Sequence, residues 1–439
     1  MSHSTKIGIL ILGVLYFCMS AGCSSSSNSE QSGQPSINSS TIAKSSLARD
    51  TNPQVTDAEL AAVVSGNTEF ALKLFPYLGS SQNENAFFSP YSITQAFSLL
   101  APGARGTTLN QIEQTLSFPL QQDRRNSAFN KLDLLLASKT TGAVLSNGLQ
   151  SPILNKANAV WGQQGFSLLP VYLDTLAVNY DAGLHLVDFI HATEFSRQTI
   201  NTWVEGQTNN RIQNLIPQGG VTVDTRLVLT NAIWFKANWA LQFPKESTTN
   251  RSFNNRDGSS SLTSFMRQLF ALPYVQAEGC QAVDIPYAGD NLSMLVIMPD
   301  PGTLDSFVAK LTPTRLSNIR TQLATKMIAF SMPKFTFTKT STLGPTLQSL
   351  GMTDAFDPTK ADLSGIDGLR DLFVGSVFHQ AFIAVDEVGT EAAAATAITI
   401  GTTSIPTPAL TLTIDHPFIF LIRDRQTGLI LFMGKVVSL

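Results

Sequence analysis

LVLTNAIWFKANW, Leu227 to Trp239, is the segment that carries the fold. From Leu227 to Phe235 the side chains are almost all apolar and β-favouring, the composition of a strand covered on both faces. Leu292 to Met298 and Phe418 to Ile422 read the same way. The closing strands, Pro417 to Asp424 and Leu429 to Val437, flank Arg425 to Gly428 and are expected to pair as a hairpin. Earlier in the chain the period changes. Phe70, Ala71, Leu74, Phe75 and Leu78 recur at the spacing of one helical face. Ser89-Pro90 opens a second helix, because a hydroxyl caps free amides and proline tolerates the first helical position. That helix runs through Phe97 to Leu100 and stops before Pro102-Gly103. Thr108 and Gln111 have capping-box spacing for a third. No repeat or interdomain linker interrupts this order, so a single α+β domain is expected over residues 56–439.

Composition sets the class. The chain has 439 residues, 43% of them hydrophobic and 14% charged, enough to bury one large core. Lys plus Arg number 29 against 32 Asp plus Glu, a net charge of -3 that lacks the concentrated basic surface nucleic acid requires. Of three cysteines, Cys18 and Cys23 fall in the leader and Cys280 stands alone, so no disulfide framework is available. Cys280 reads as a packing residue.

The first 22 residues read as a secretory signal: Lys6, the apolar run from Ile7 to Phe17, then Ser20, Ala21 and Gly22 before Cys23. The apolar run is shorter than the roughly 20 residues a spanning helix needs. Small residues before a cysteine resemble the bacterial lipoprotein signal, which makes Cys23 the expected lipidation site. Ser20 departs from that pattern, in which leucine is usual. The expected destination lies across the inner membrane, as a cell-envelope lipoprotein or an extracellular protein. Residues 23–55, rich in Ser, Asn, Gln and Gly, are expected to be a flexible tether because they have little apolar surface to bury.

Several motifs then appear in a fixed order: Asn85-Ala-Phe-Phe-Ser-Pro-Tyr-Ser-Ile93, Gly103-Ala-Arg-Gly-Thr-Thr108, Ile200-Asn201 with Trp203-Val204, and Thr208 with Asn210-Arg-Ile212. After them come Thr230 to Trp239, Leu350 to Phe356, Ala361 to Ile366 and Asp415-His-Pro-Phe-Ile-Phe-Leu-Ile-Arg-Asp424. Together they resemble the serpin family, the serine protease inhibitors, across essentially the whole domain. The resemblance implies the serpin fold: three β-sheets, about nine surrounding helices and an exposed reactive-centre loop, here about residues 386–409.

Asp386 to Pro408 is also unusual on its own chemistry. Ala392 to Ala395 favour helix, Ile398 to Ile400 favour strand, and Gly401 breaks either, so the segment suits two conformations. By resemblance, Glu387, Gly389, Thr390, Glu391, Ala392, Ala393, Ala394, Ala395 and Thr396 form the hinge of a bait loop that inserts into a sheet. If inserted, Thr390, Ala392, Ala394, Thr396 and Ile398 would share one uncharged face. Glu391, Ala393, Ala395 and Ala397 would take the other, solvent-side register. Family spacing from Gly389 puts the scissile bond between Thr403 and Ser404. No Arg, Lys or aromatic side chain lies beside it, which points to an elastase-like or subtilisin-like protease with a small or shallow pocket. Val388 departs from the family, where an acidic or polar residue is common. Ser92, Asn231, Trp239 and His379 match the region through which the sheet opens.

The implied function is irreversible suicide inhibition of serine proteases, with cysteine proteases as a further class, by a monomer that forms a covalent acyl complex with its target. The alternative is a non-inhibitory serpin that binds or builds, because fold does not fix function. A hydrolase is disfavoured: there is no Gly-x-Ser-x-Gly elbow and no His-Glu-x-x-His helix. His185 and His191 are read as surface or loop residues, and no cofactor or metal is expected.

Overall fold

The computed structural model describes residues 40–78, 83–391 and 410–439. The signal segment, Cys23, Ala392 to Thr396 of the hinge and the Thr403–Ser404 bond lie outside the described residues. The helices are α1 (Asp57–Leu74), α2 (Pro90–Leu100), α3 (Gly106–Thr115), α4 (Gln122–Lys139) and α5 (Pro170–Tyr180). They continue as α6 (Thr193–Gln207), α7 (Leu304–Ala309), α8 (Pro313–Thr321), α9 (Gly344–Ser349) and α10 (Ser364–Asp367). The strands begin with β1 (Thr41–Ala43), β2 (Ala86–Phe88), β3 (Ile153–Gln163), β4 (Leu184–Val187) and β5 (Leu227–Asn238). Next come β6 (Thr249–Asn254), β7 (Ser260–Ala277), β8 (Cys280–Pro286), β9 (Leu292–Pro299) and β10 (Ala324–Pro333). The last are β11 (Phe335–Thr342), β12 (Val374–Val385), β13 (Gly389–Thr390), β14 (Leu410–Thr413), β15 (Phe418–Asp424) and β16 (Ile430–Val436).

Local chemistry explains the main helices. Thr56 caps α1 in a capping box: its hydroxyl accepts from the Glu59 amide, and Glu59 returns a bond to the Thr56 amide. Ser89 caps α2 through the Ser92 amide, with Pro90 at the first turn. All eleven residues of α2 are buried, so this helix is a core element behind the sheet and not a surface one. The third helix starts earlier than the capping-box spacing suggested. Arg105 is its N-cap, while Thr108 accepts from the Asp362 amide and Gln111 from the amides of Thr353 and Asp354. Those side chains tie distant loops instead of capping α3.

Among the described residues the strands form two hydrogen-bonded sheets, where three were expected. The reason is β7, whose 18 residues pair with β6 and β10 over most of their length and with β8 at the far end. Two sheets are thereby joined into one of nine strands. The other sheet has seven, in the order β1-β4-β3-β5-β13-β12-β11. The described helices number ten, three of them six residues or shorter. Between the sheets, Phe87, Phe235, Phe335, Phe420 and Phe432 pack with Ile383 and Val385 in one continuous core. Each such side chain contributes roughly 1.5–3 kcal/mol by leaving water.

The tether expectation fails from Thr41 onward. β1 pairs antiparallel with the edge strand β4, and Gly183 lets it approach, since a β-carbon there would lie 2.5 Å from the Ala43 carbonyl oxygen. Lys44 then bonds Asp181, Ser45 bonds Asp174, and Arg49 bonds Asn130 and Asp133. Composition missed this because the docking uses polar side chains and backbone, not apolar burial.

Candidate functional site

β5 and β12 run side by side in parallel from Leu227 and Val374 up to Ile233 and Ala381. Beyond that pair they part, and β13 fills the opening. Thr390 pairs with Val385 on one side and Ala237 on the other, and Gly389 pairs with Asn238. The start of the hinge is thus already a strand between the two central strands. Trp234, Phe235 and Lys236 of β5 and Phe382, Ile383 and Ala384 of β12 lie between this wedge and the point where the strands meet.

The chain from Asp386 to Thr390 is held by side-chain and backbone hydrogen bonds. Asp386 folds it into a tight turn, accepting from the Val388 and Gly389 amides while its own amide donates to the Gly389 carbonyl. Glu387 accepts from Thr248 at 2.7 Å and from Lys334 at 2.8 Å. Burial opposes its ionisation, but the bonds from Lys334 and Thr248 outweigh burial and hold its carboxyl below the usual range. Val388, the residue that departs from the family pattern, is buried. Gly389 has no room for a side chain: a β-carbon would sit 1.9 Å from the Ala237 carbonyl oxygen.

Trp239 stacks on Tyr287 with ring centroids 4.7 Å apart and planes 8° from parallel. Its indole donates to the Asp386 carbonyl, its amide to the Val388 carbonyl, and the Tyr287 hydroxyl shares a 2.7 Å bond with Thr390. Trp239 therefore packs against the turn that leads into the wedge. Tyr287 was missed, because nothing in its local sequence marks it.

Glu391 differs from expectation. Alternation put it in the solvent-side register, yet its side chain is only 8% exposed because Arg211, from the segment after α6, covers it with Nε 2.5 Å from the carboxylate. Its φ of 50° turns the chain out of the strand at this residue.

Lower in the fork, Ser92, Asn231 and His379 do come together, with Asn158 and Ser89. Asn231 donates to Ser92 at 2.7 Å and to Asn158 at 2.9 Å, and Ser92 donates to Asn158 at 2.8 Å. His379 Nε2 accepts the Ser89 amide, so its proton sits on Nδ1 and is donated to Asn231 Oδ1. This neutral tautomer spans α2, β5 and β12. Burial pushes the His379 pKa down to about 4. Asn158 faces Asn231 directly across β3 and β5, a pairing that sequence alone could not register.

Two other histidines resolve differently from one another. His191 is exposed and bonds Asp188. His185 is buried in β4 between Trp161 and Trp203, at centroid distances of 4.4 and 5.0 Å, so the surface reading of it was wrong. Burial lowers its pKa to about 4. Cys280 is a buried free thiol, and among the described residues no cluster of His, Cys, Asp and Glu is arranged to hold a metal.

The family model for serpins (serine protease inhibitors) matches residues 65–439. Leukocyte elastase inhibitor of Homo sapiens is 38% identical over 85% of this chain and 98% of its own length. An uncharacterised serpin-like protein of Thermococcus kodakarensis is 34% identical over 98% of both chains. Among solved structures, the native thermophilic serpin Tengpin superposes with a TM-score of 0.80 at 27% identity, covering 92% of this chain and 100% of that one.

Proposed function

This chain belongs to the serpin family, protease inhibitors that are not themselves enzymes, and we propose that it is an irreversible suicide inhibitor of serine proteases. The observation that carries the reading is the seat of Gly389 and Thr390 between β5 and β12. An element that starts to fill a sheet at its top, above a short stretch where β5 and β12 do not pair, has a route for further insertion once the paired stretch below it opens. Small side chains from Ala392 to Ala395 suit that route.

In the proposed reaction the protease serine attacks the carbonyl carbon of Thr403. The bond to the Ser404 nitrogen breaks, that nitrogen leaves with a proton, and an ester joins Thr403 to the protease. Loop insertion then carries the protease away from the entrance before water cleaves the ester. Distortion of its oxyanion hole and triad removes several kcal/mol of transition-state stabilisation, so the ester persists.

The residues around Thr403 and Ser404 fit an elastase-like or subtilisin-like target, and the human relative is named as an inhibitor of an elastase. The leader and Cys23 fit secretion with lipid attachment at the cell envelope.

Mixing the protein with elastase-like, subtilisin-like and trypsin-like proteases tests the reading. A covalent complex on a denaturing gel with release of the peptide beginning at Ser404 is expected for the first two. Cleavage without any complex would reject inhibition in favour of a non-inhibitory member.

A further inference from the structure

The inserted part of the hinge ends at one residue, and that residue is poorly accommodated. Glu391 occupies the left-handed region, which is unfavourable for a residue that carries a β-carbon. Its amide still donates to the Ala384 carbonyl at 2.6 Å, so the ladder reaches Glu391 and the chain then turns away.

Its carboxyl is buried between the sheet and the segment after α6. Arg211, itself 55% exposed, lies against one oxygen, but neither oxygen has a hydrogen bond of good geometry. Lys236 of β5 is the other cation that acts on it. On the hinge itself, Glu387 is satisfied by Lys334 and Thr248, and the Tyr287 hydroxyl is engaged by Thr390. An ionised carboxylate in such a place gives up water without full replacement, and one partly hydrated arginine offsets only part of that loss.

We propose that Glu391 and Arg211 form a proton-operated stop on the hinge: the protonated carboxyl keeps the hinge docked at Thr390, and ionisation loosens it. The stop rests on the reading of this segment as a moving bait loop and specifies when it moves. Burial raises the Glu391 pKa to about 7, with Arg211 and Lys236 pulling the other way. In an undocked hinge the same side chain meets water and titrates as an ordinary glutamate, near 4.3. The docked form therefore binds the proton more tightly. Docking strengthens as pH falls from about 7 towards the ordinary glutamate value, and weakens as pH rises through 7.

The test needs no protease. Trp239 bonds the Asp386 carbonyl and stacks on the tyrosine that holds Thr390, so its emission reports hinge docking in the full-length chain. Emission titrated between about pH 5 and pH 9 should show a transition near 7 in the native protein. Glu391→Gln, which mimics the protonated form, should abolish it. Arg211→Gln should raise its midpoint by about one pH unit, because a neighbouring cation favours the ionised carboxyl. The same transition in Glu391→Gln, or none in the native protein, overturns the stop. If the transition behaves as expected while no covalent protease complex forms, the stop stands and the inhibitory reading fails.

Discussion

Thr390 and Tyr287 share a 2.7 Å hydrogen bond in a site where both are buried, so the hinge residue that pairs with both β5 and β12 is fixed by its side chain as well as by its ladder. The site is sized and polarised for a hydroxyl. Thr390→Arg would bring an unpaired charge between β5 and β12, which costs several kcal/mol. Insertion should stall while the loop is still cut. On a gel the covalent complex should give way to cleaved inhibitor, with protease activity recovered.

Gly389→Ala acts on the same wedge by steric means. The added methyl carbon would meet the Ala237 carbonyl oxygen at 1.9 Å, so backbone must shift. The docked turn should open. Hydrogen exchange of a peptide spanning residues 386–391 should accelerate by roughly tenfold, as expected for about 1.4 kcal/mol of lost local stability. Unchanged exchange would mean that the hinge is held from elsewhere.

His379 links stability to pH. Its native pKa of about 4 is depressed from 6.5 by burial of the neutral ring. The unfolded chain therefore binds more protons between these values. Stability is fully present above pH 6.5 and declines as pH falls towards 4, by about 3 kcal/mol for the whole shift. His185, with the same direction of shift, adds to the slope. Urea unfolding of His379→Gln should show a lower midpoint at pH 7 and a shallower loss between pH 7 and pH 5 than the native chain, leaving the share of His185.

Gly183→Ala tests the docked N-terminal segment. Its methyl carbon would fall 2.5 Å from the Ala43 carbonyl oxygen and 2.9 Å from side-chain atoms of Ile42 and Lys44. β1 should detach from β4, and trypsin should cut after Lys44 and Arg49 faster than in the native chain. Protection equal to that of the native chain would show that the bonds to Asp181 and Asp133 suffice alone.

The sheet core was legible because its strands have little choice. A run such as Leu227 to Phe235 has no polar face to turn to water, and in the structure all nine residues are buried in β5, the middle strand of the seven, which pairs with β3 on one side and with β12 and β13 on the other. Ser92, Asn231, His379 and Trp239 could be named through ordered motifs, and the structure brings the first three into one hydrogen-bonded cluster. Asn158 and Tyr287 could not, and Arg211, although inside the motif Asn210-Arg-Ile212, had nothing to tie it to the hinge. Each acts on a residue more than 60 positions away in sequence, at Ser92, Thr390 and Glu391.

By itself the sequence determined the α+β class, the central strand, the paired C-terminal strands and the segment that has two conformational preferences, because these depend on local periodicity and side-chain volume. Tertiary structure decided how far the hinge enters the sheet, which residue stops it and whether Thr41 to Ala43 joins the edge. Those outcomes depend on how closely backbones approach at Gly389 and Gly183 and on which charges meet at Glu391. Such distances are properties of the packed chain, and no local pattern encodes them.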